Sequence, residues 1–163
     1  NGVDTEHLGE ESTIQSFLRT TTTHPKLEFI VQKNEETFPL WNGLLEQKML
    51  PENLVFLHDE SKGTGKEAST WSNDPQFVTS SRKIVGYAGG IKPANVCKVA
   101  EDTFKACQES GGKEFWIDME SGVRSKVIGA SDKEEEDIFD LTKCYACIDT
   151  ICELGLIDHP SGL

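Results

Sequence analysis

Short β-rich runs at 27–31, 54–57, 83–87 and 115–117 alternate along the chain with longer stretches of helical periodicity. That alternation is the mark of α/β architecture, because each crossover helix returns the chain to start a parallel neighbour. The run Leu54-Val55-Phe56-Leu57 is apolar throughout, the texture of a strand covered on both faces. Helices are expected at 11–19, where Ile14, Phe17 and Leu18 share a side, and at 35–49, with Pro39 tolerated in the first turn. Two more are expected, one at 93–109 from Pro93 to the Gly111-Gly112 stop, and one at 137–154 with Leu141, Cys144, Ile148 and Ile151 at helical spacing before Gly155. The charge run Lys133-Glu134-Glu135-Glu136-Asp137 reads as a solvated loop leading into an acid-rich helix start. Nothing marks a boundary, so residues 1–163 are read as a single α/β domain. Its strands, ending at Val31, Asp59, Ala88 and Asp118, are expected side by side in one parallel sheet with their C-terminal ends on a common rim.

Composition narrows the partners. Lys plus Arg number 16 against 28 Asp plus Glu, a net charge of −12, and such a chain repels a phosphate backbone. No nucleic-acid partner is expected. No apolar run approaches a membrane span, and Asn1 to Glu6 has neither a basic end nor an apolar segment, so no membrane partner is expected either. The chain starts at Asn1 rather than Met, which leaves room for an upstream segment. Five cysteines, Cys97, Cys107, Cys144, Cys147 and Cys152, are an odd number in a chain long enough to fold without staples, which fits a reducing, cytoplasmic setting. The Cys144-x-x-Cys147 pair has no second pair at zinc-like spacing, so it is read as a small apolar helix face and no metal is expected.

Ligands of parallel α/β folds gather at the C-terminal ends of strands. The second run leads into His58-Asp59-Glu60-Ser61-Lys62-Gly63-Thr64-Gly65-Lys66, the third into Ala88-Gly89-Gly90-Ile91-Lys92-Pro93-Ala94-Asn95-Val96, and the fourth into Asp118-Met119-Glu120-Ser121-Gly122-Val123. Glycine is thus concentrated at three consecutive strand exits. Glycines let backbone N–H groups approach an anion closely, so a phosphate site is the natural reading, with tight corner-turning as the plain alternative. Gly63-Thr64-Gly65-Lys66 lacks the spacing of a nucleotide-binding P-loop. Asp59 alone reads as a loop cap.

In order and spacing these motifs resemble those of the phosphoribosylanthranilate isomerases: a strand ending L-L-D, a G-G-T-G-K loop with an aromatic pair ending in Trp (here Trp71), A-G-G-L-x-P-x-N-V, V-D-x-S-S-G-V-E, and K-D-x-x-K-I before the last helix (here Asp140 to Cys144). The match runs from Leu54 to Ile151. His7-Leu8-Gly9-Glu10-Glu11 is similar to a further family motif, Q-L-H-G-E-E. The resemblance implies a TIM (β/α)8 barrel, of which this chain carries roughly the C-terminal four to five βα units, with the N-terminal strands supplied by a missing barrel segment or a partner. It implies an Amadori isomerisation of phosphoribosylanthranilate in tryptophan biosynthesis, without metal or organic cofactor. Asp59 takes the position of the general acid, Gly89, Gly90, Ser121 and Gly122 those that hold the substrate phosphate, and Gly63, Thr64 and Gly65 those of a substrate loop. Two departures stand out. The family's base, a cysteine in K-I-C-G, has no counterpart among the five cysteines, and Glu120 stands where the family has serine. Arg124 or Lys92 is expected to offset the Glu120 charge. The rival reading is a catalytically inactive barrel relative that binds a phosphorylated ligand in a regulatory role; an open flavodoxin-like module suits the length but not the motif order.

Overall fold

The computed structural model describes residues 6–59, 61, 65–78, 82–128 and 135–157. The elements are α1 (Glu11–Thr23), β1 (Phe29–Lys33), α2 (Phe38–Leu45), β2 (Leu54–Asp59), β3 (Ile84–Ala88), α3 (Val96–Glu109), β4 (Glu114–Asp118), β5 (Arg124–Ile128), β6 (Glu135–Phe139) and α4 (Leu141–Glu153), with single 3-10 turns at Pro75–Phe77 and Ser121–Val123. Strands β1-β2-β3-β4 form one sheet in that order, and every adjacent pair is parallel. The expected sheet and rim are therefore present.

Several boundaries differ from expectation, among them the end of β1, which runs on to Lys33 rather than stopping at Val31. Helix α2 is shorter than 35–49 because Asn34 and Thr37 close a turn before it, with Asn34 Oδ1 accepting from the Thr37 N–H at 3.0 Å and Thr37 Oγ1 donating to Gln32 O at 2.6 Å. At its far end Pro51 disfavours helical backbone in the residue before it. Pro93 lies in a turn ahead of α3 rather than in its first turn. Residues 135–139 are not a loop and helix start but strand β6, which pairs antiparallel with β5. The acids of that run meet bases across the ladder, Arg124 with Asp137 at 3.0 Å and Lys126 with Glu135 at 3.1 Å. Helix α4 begins only where Asp140 caps it, accepting from the Thr142 and Lys143 N–H groups. Helix α1 continues beyond the expected Arg19 through Thr20 to Thr23, whose hydroxyls each bond back to a carbonyl of the preceding turn.

Side chains alternate across a strand, so register sorts the sheet into two faces. Val31 and Phe56 are register partners, as are Lys33, His58, Tyr87 and Ile117 in one row. This face is covered by helices. Val31, Leu54 and Phe56 pack with Ile14 of α1 and Leu44 of α2, Val85 and Tyr87 with Ala106 and Cys107 of α3, and Ile117 against the α3–α4 cluster that includes Cys147 and Ile151. The other face carries Ile30, Gln32, Leu57, Asp59, Gly86, Ala88, Trp116 and Asp118, with Ile30 exposed. Helices on one face only distinguish this wall from a doubly wound sheet. It is a partial α/β fold, and among the described residues no strand joins β1 to β4.

On the helix-free face the Trp116 ring lies across Gly86 and reaches Leu57, and a Cβ on Gly86 would overlap the ring. Gly86→Val is accordingly expected to lift the indole off the sheet. The strain should cost about 1–3 kcal/mol, read as a lower urea midpoint together with red-shifted tryptophan emission. None of the helices among the described residues is long and apolar enough to cross a membrane.

Candidate active site

Asp59 is the last residue of β2 and is 5% exposed. Register places it beside Ala88 and, one strand further, Asp118, so the two carboxyls stand in one row on the helix-free face with only a methyl group between them. Three donors converge on Asp59. The Ser61 N–H and hydroxyl reach Oδ1 at 2.9 and 2.6 Å, a turn that an Asp-x-Ser sequence readily forms, and the Gln32 amide of β1 donates to Oδ2.

The three strand exits meet above this row. Gly89 and Gly90 have φ of +136° and +62°, a backbone that favours glycine, and the Ala68 N–H donates to Gly89 O at 3.4 Å. A Cβ on Gly90 would lie 2.5 Å from the backbone nitrogen of Glu67, so the β2 exit loop rests directly on the β3 exit. A Cβ on Gly122 would overlap the carbonyl oxygen of Ile91, and one on Gly65 the Ser121 hydroxyl. Gly65, Gly89, Gly90 and Ser121 line one small cavity of about 40 Å³ together with Asp59, Ser61, Asp118 and Glu120, whereas Gly122 does not line it and packs instead against the carbonyl of Ile91, a residue of its wall. Gly63 and Thr64, the remaining substrate-loop residues, and Glu60 lie outside the described residues.

The charge of this cavity is negative. Asp59, Asp118 and Glu120 all line it, and no Lys or Arg does among the described residues. Asp118 is an exposed residue at the end of β4, but partial desolvation of its carboxyl, and then the neighbouring Asp59 and Glu120 charges, raise it above the usual carboxylate range. Arg124 does not offset Glu120 as expected. Its guanidinium donates to Asp137 and stacks 4.6 Å over the Phe139 ring, because the β5–β6 hairpin draws it away from the cavity. Lys92 is exposed and does not line the cavity.

Gln32 and Ser61 had no place in the sequence reading. Ser61 carries a local signal, two residues after an aspartate. Gln32 carries none, since its contact depends on the register of β1 against β2 across 27 residues. Among the described residues no group of three His, Cys, Asp or Glu side chains is arranged to hold a metal ion, and Cys147 is buried in the α3–α4 core. A wider groove of about 530 Å³ runs between the 67–71 segment and α3 and contains none of these site residues. Comparisons with family models, with curated proteins and with solved structures find no match to this chain.

Proposed function

We propose that the chain carries the proton-transfer part of a phosphoribosylanthranilate isomerase-like site, within the C-terminal part of a TIM barrel. The observation that carries this reading is the buried Asp59 carboxyl at the C-terminal end of a parallel strand, facing a cavity built from the glycine exits of its own and the next two strands. In the Amadori isomerisation the furanose ring opens as its oxygen gains a proton, and the C2 proton is removed. A carboxyl fixed in orientation by Ser61 and Gln32 is suited to one of these transfers, because fixed geometry removes the entropy of aligning the reacting groups. The N–H groups of the Gly89-Gly90 and Ser121-Gly122 exits supply the phosphate contacts in this reading. The test is conversion of phosphoribosylanthranilate by the full-length gene product, followed as loss of the aminobenzoate fluorescence. Absence of turnover would overturn the reading.

One observation favours the second reading, a phosphate-ligand-binding relative without catalysis: Glu120 lines the cavity and its expected counterion is engaged elsewhere. A carboxylate beside a dianion is unfavourable, by more where solvent is excluded. Glu120→Ser is expected to raise inorganic phosphate affinity several-fold at low ionic strength, and the gain should shrink as salt screens the charge. Calorimetry at two salt concentrations checks this. A variant that leaves phosphate affinity unchanged or weaker would mean the site is adapted to Glu120.

A further inference from the structure

In the four-stranded sheet β2 and β3 have a neighbour on each side, whereas the outer edges of β1 and β4 are unpaired among the described residues. We propose that a second copy of this chain covers both edges at once, β4 of each copy lying parallel beside β1 of the other, so that two four-stranded walls close one eight-stranded barrel. The inference goes beyond the isomerase reading and rests on no substrate.

An open strand edge is a template for pairing with another chain. On the helix-free face the wall is neutral through its middle, where register groups Ile30 with Val55 and, one row on, Leu57 with Gly86 and Trp116. The charged residues of that face stand at the strand ends, Glu114 at the start of β4 and Asp59 and Asp118 at the last positions of β2 and β4. That is the distribution of a barrel interior, dry in the middle and wet at both mouths. Eight is the strand number at which a parallel barrel with helices outside closes on an interior filled by side chains, and the described sheet of one copy has four.

The helices beside the two edges are uncovered in matching ways. Helix α4 packs on α3 through Cys147 and Ile151, but Leu141, Tyr145, Ile148 and Cys152 recur at helical spacing as a second apolar stripe, turned about a quarter of the way round the helix from the first. None of these four is buried, and Leu141 and Tyr145 are 67% and 45% exposed. Helix α1, whose Phe17 packs edge-on to Phe29 of β1, presents an open shelf of Gln15, Leu18, Arg19 and Thr22. Continuing the wall past its edges sets the stripe of one copy on the shelf of the other. Charge selects this pairing over a symmetric one. Residues 19–33, around β1, hold three Lys or Arg and one acid, whereas residues 114–120, around β4, hold three acids and no base. Joining β4 to β1 brings opposite signs together, while β4 beside a second β4 would set acids against acids. Such head-to-tail contacts form a closed ring when the rotation closes, and a twofold axis along the barrel closes this one after two copies.

Sedimentation velocity of the intact protein at rising concentration is expected to give twice the chain mass, and hydrogen exchange should show the amides of β1 and β4 gaining protection together as the dimer forms. Two variants probe the two flanks. Ile30→Asp, on the helix-free side of β1, and Tyr145→Glu, on the α4 stripe, replace side chains that are about half exposed in a single copy. Each is expected to keep its far-ultraviolet circular dichroism and to raise the dissociation constant about 10²-fold or more, because a charge is then buried without a partner. A protein that stays monomeric at every concentration overturns the proposal, and edge amides protected in that monomer would assign their cover to the chain's own residues. A dimer that both variants leave intact overturns it as well, as do assemblies that grow beyond two copies. Turnover is read separately: an intact dimer without isomerase activity strikes the substrate reading alone, and isomerase activity in a protein that is only monomeric strikes this inference alone.

Discussion

Asp59→Asn is expected to lower kcat for phosphoribosylanthranilate by about 10²- to 10⁴-fold, the range in which a positioned acid or base acts, with a much smaller change in KM. The expectation holds whether Asp59 gives or takes the proton, because asparagine can do neither at a useful rate. The substitution also leaves the surroundings nearly intact. An asparagine carbonyl can accept from the Ser61 N–H and hydroxyl as Oδ1 now does, and its NH2 group then faces Gln32, whose amide turns its own oxygen inward. Loss of stability should therefore be small, and a fall in kcat without a fall in denaturation midpoint separates chemistry from folding. Steady-state kinetics beside urea unfolding makes the distinction. Near-normal turnover would remove Asp59 from the reaction and with it the observation on which the proposed function rests.

What the sequence revealed and what it hid follow from the range of the interactions involved. The parallel order of β1 to β4 was legible because apolar runs separated by helix-length segments admit few other arrangements. The meeting of the glycine exits was legible for the same reason: consecutive parallel strands end on one rim, and Gly90 and Gly122 stand where neighbouring backbones come too close for a Cβ. The β5–β6 hairpin was hidden. Six of its ten strand residues are polar or charged and the apolar ones stand in adjacent pairs, Val127-Ile128 and Ile138-Phe139, so no apolar alternation marks it, and all five of the β6 residues are exposed. What holds it are cross-strand pairs such as Arg124 with Asp137, visible only once the partner strand is known. That same pair redirects Arg124 from the cavity, which is why the expected counterion of Glu120 is elsewhere. The contact of Gln32 with Asp59 was hidden by sheet register, and the closed barrel belongs to the resemblance, since the described sheet has four strands.

The neighbour of Asp59 in sequence faces the other way and makes the fold acid-sensitive. His58 is 5% exposed on the helix-covered face, stacked 5.6 Å from Tyr87 and edge-on to Phe77 at 5.0 Å. Its ring nitrogens have no hydrogen bond to the described residues, and Lys33, its register partner, holds its ammonium 4.7 Å from the Phe77 ring centroid. Burial first, and then the Lys33 charge, depress the imidazole from 6.5 to about 4, against a weaker opposing pull from Asp74. An unfolded histidine binds its proton near pH 6.5, whereas this one in the folded protein stays neutral until the pH approaches about 4. Stability from this group is thus complete above the unfolded value and is lost as pH falls through that window. The full loss is about 3 kcal/mol, a large part of the stability of a domain of this size. Carboxylates add their own acid dependence below about pH 5, so the comparison must be between variants. His58→Phe keeps an aromatic ring against Tyr87 and Phe77 but has no proton to gain. The expected result is that wild-type stability falls by roughly 2–3 kcal/mol more than that of His58→Phe between pH 7 and about pH 4.5, measured by urea unfolding. Equal losses in the two proteins would mean that the imidazole is solvated or paired in the folded state, and that the packing of β2 against Phe77 and Tyr87 is looser than these ring distances describe.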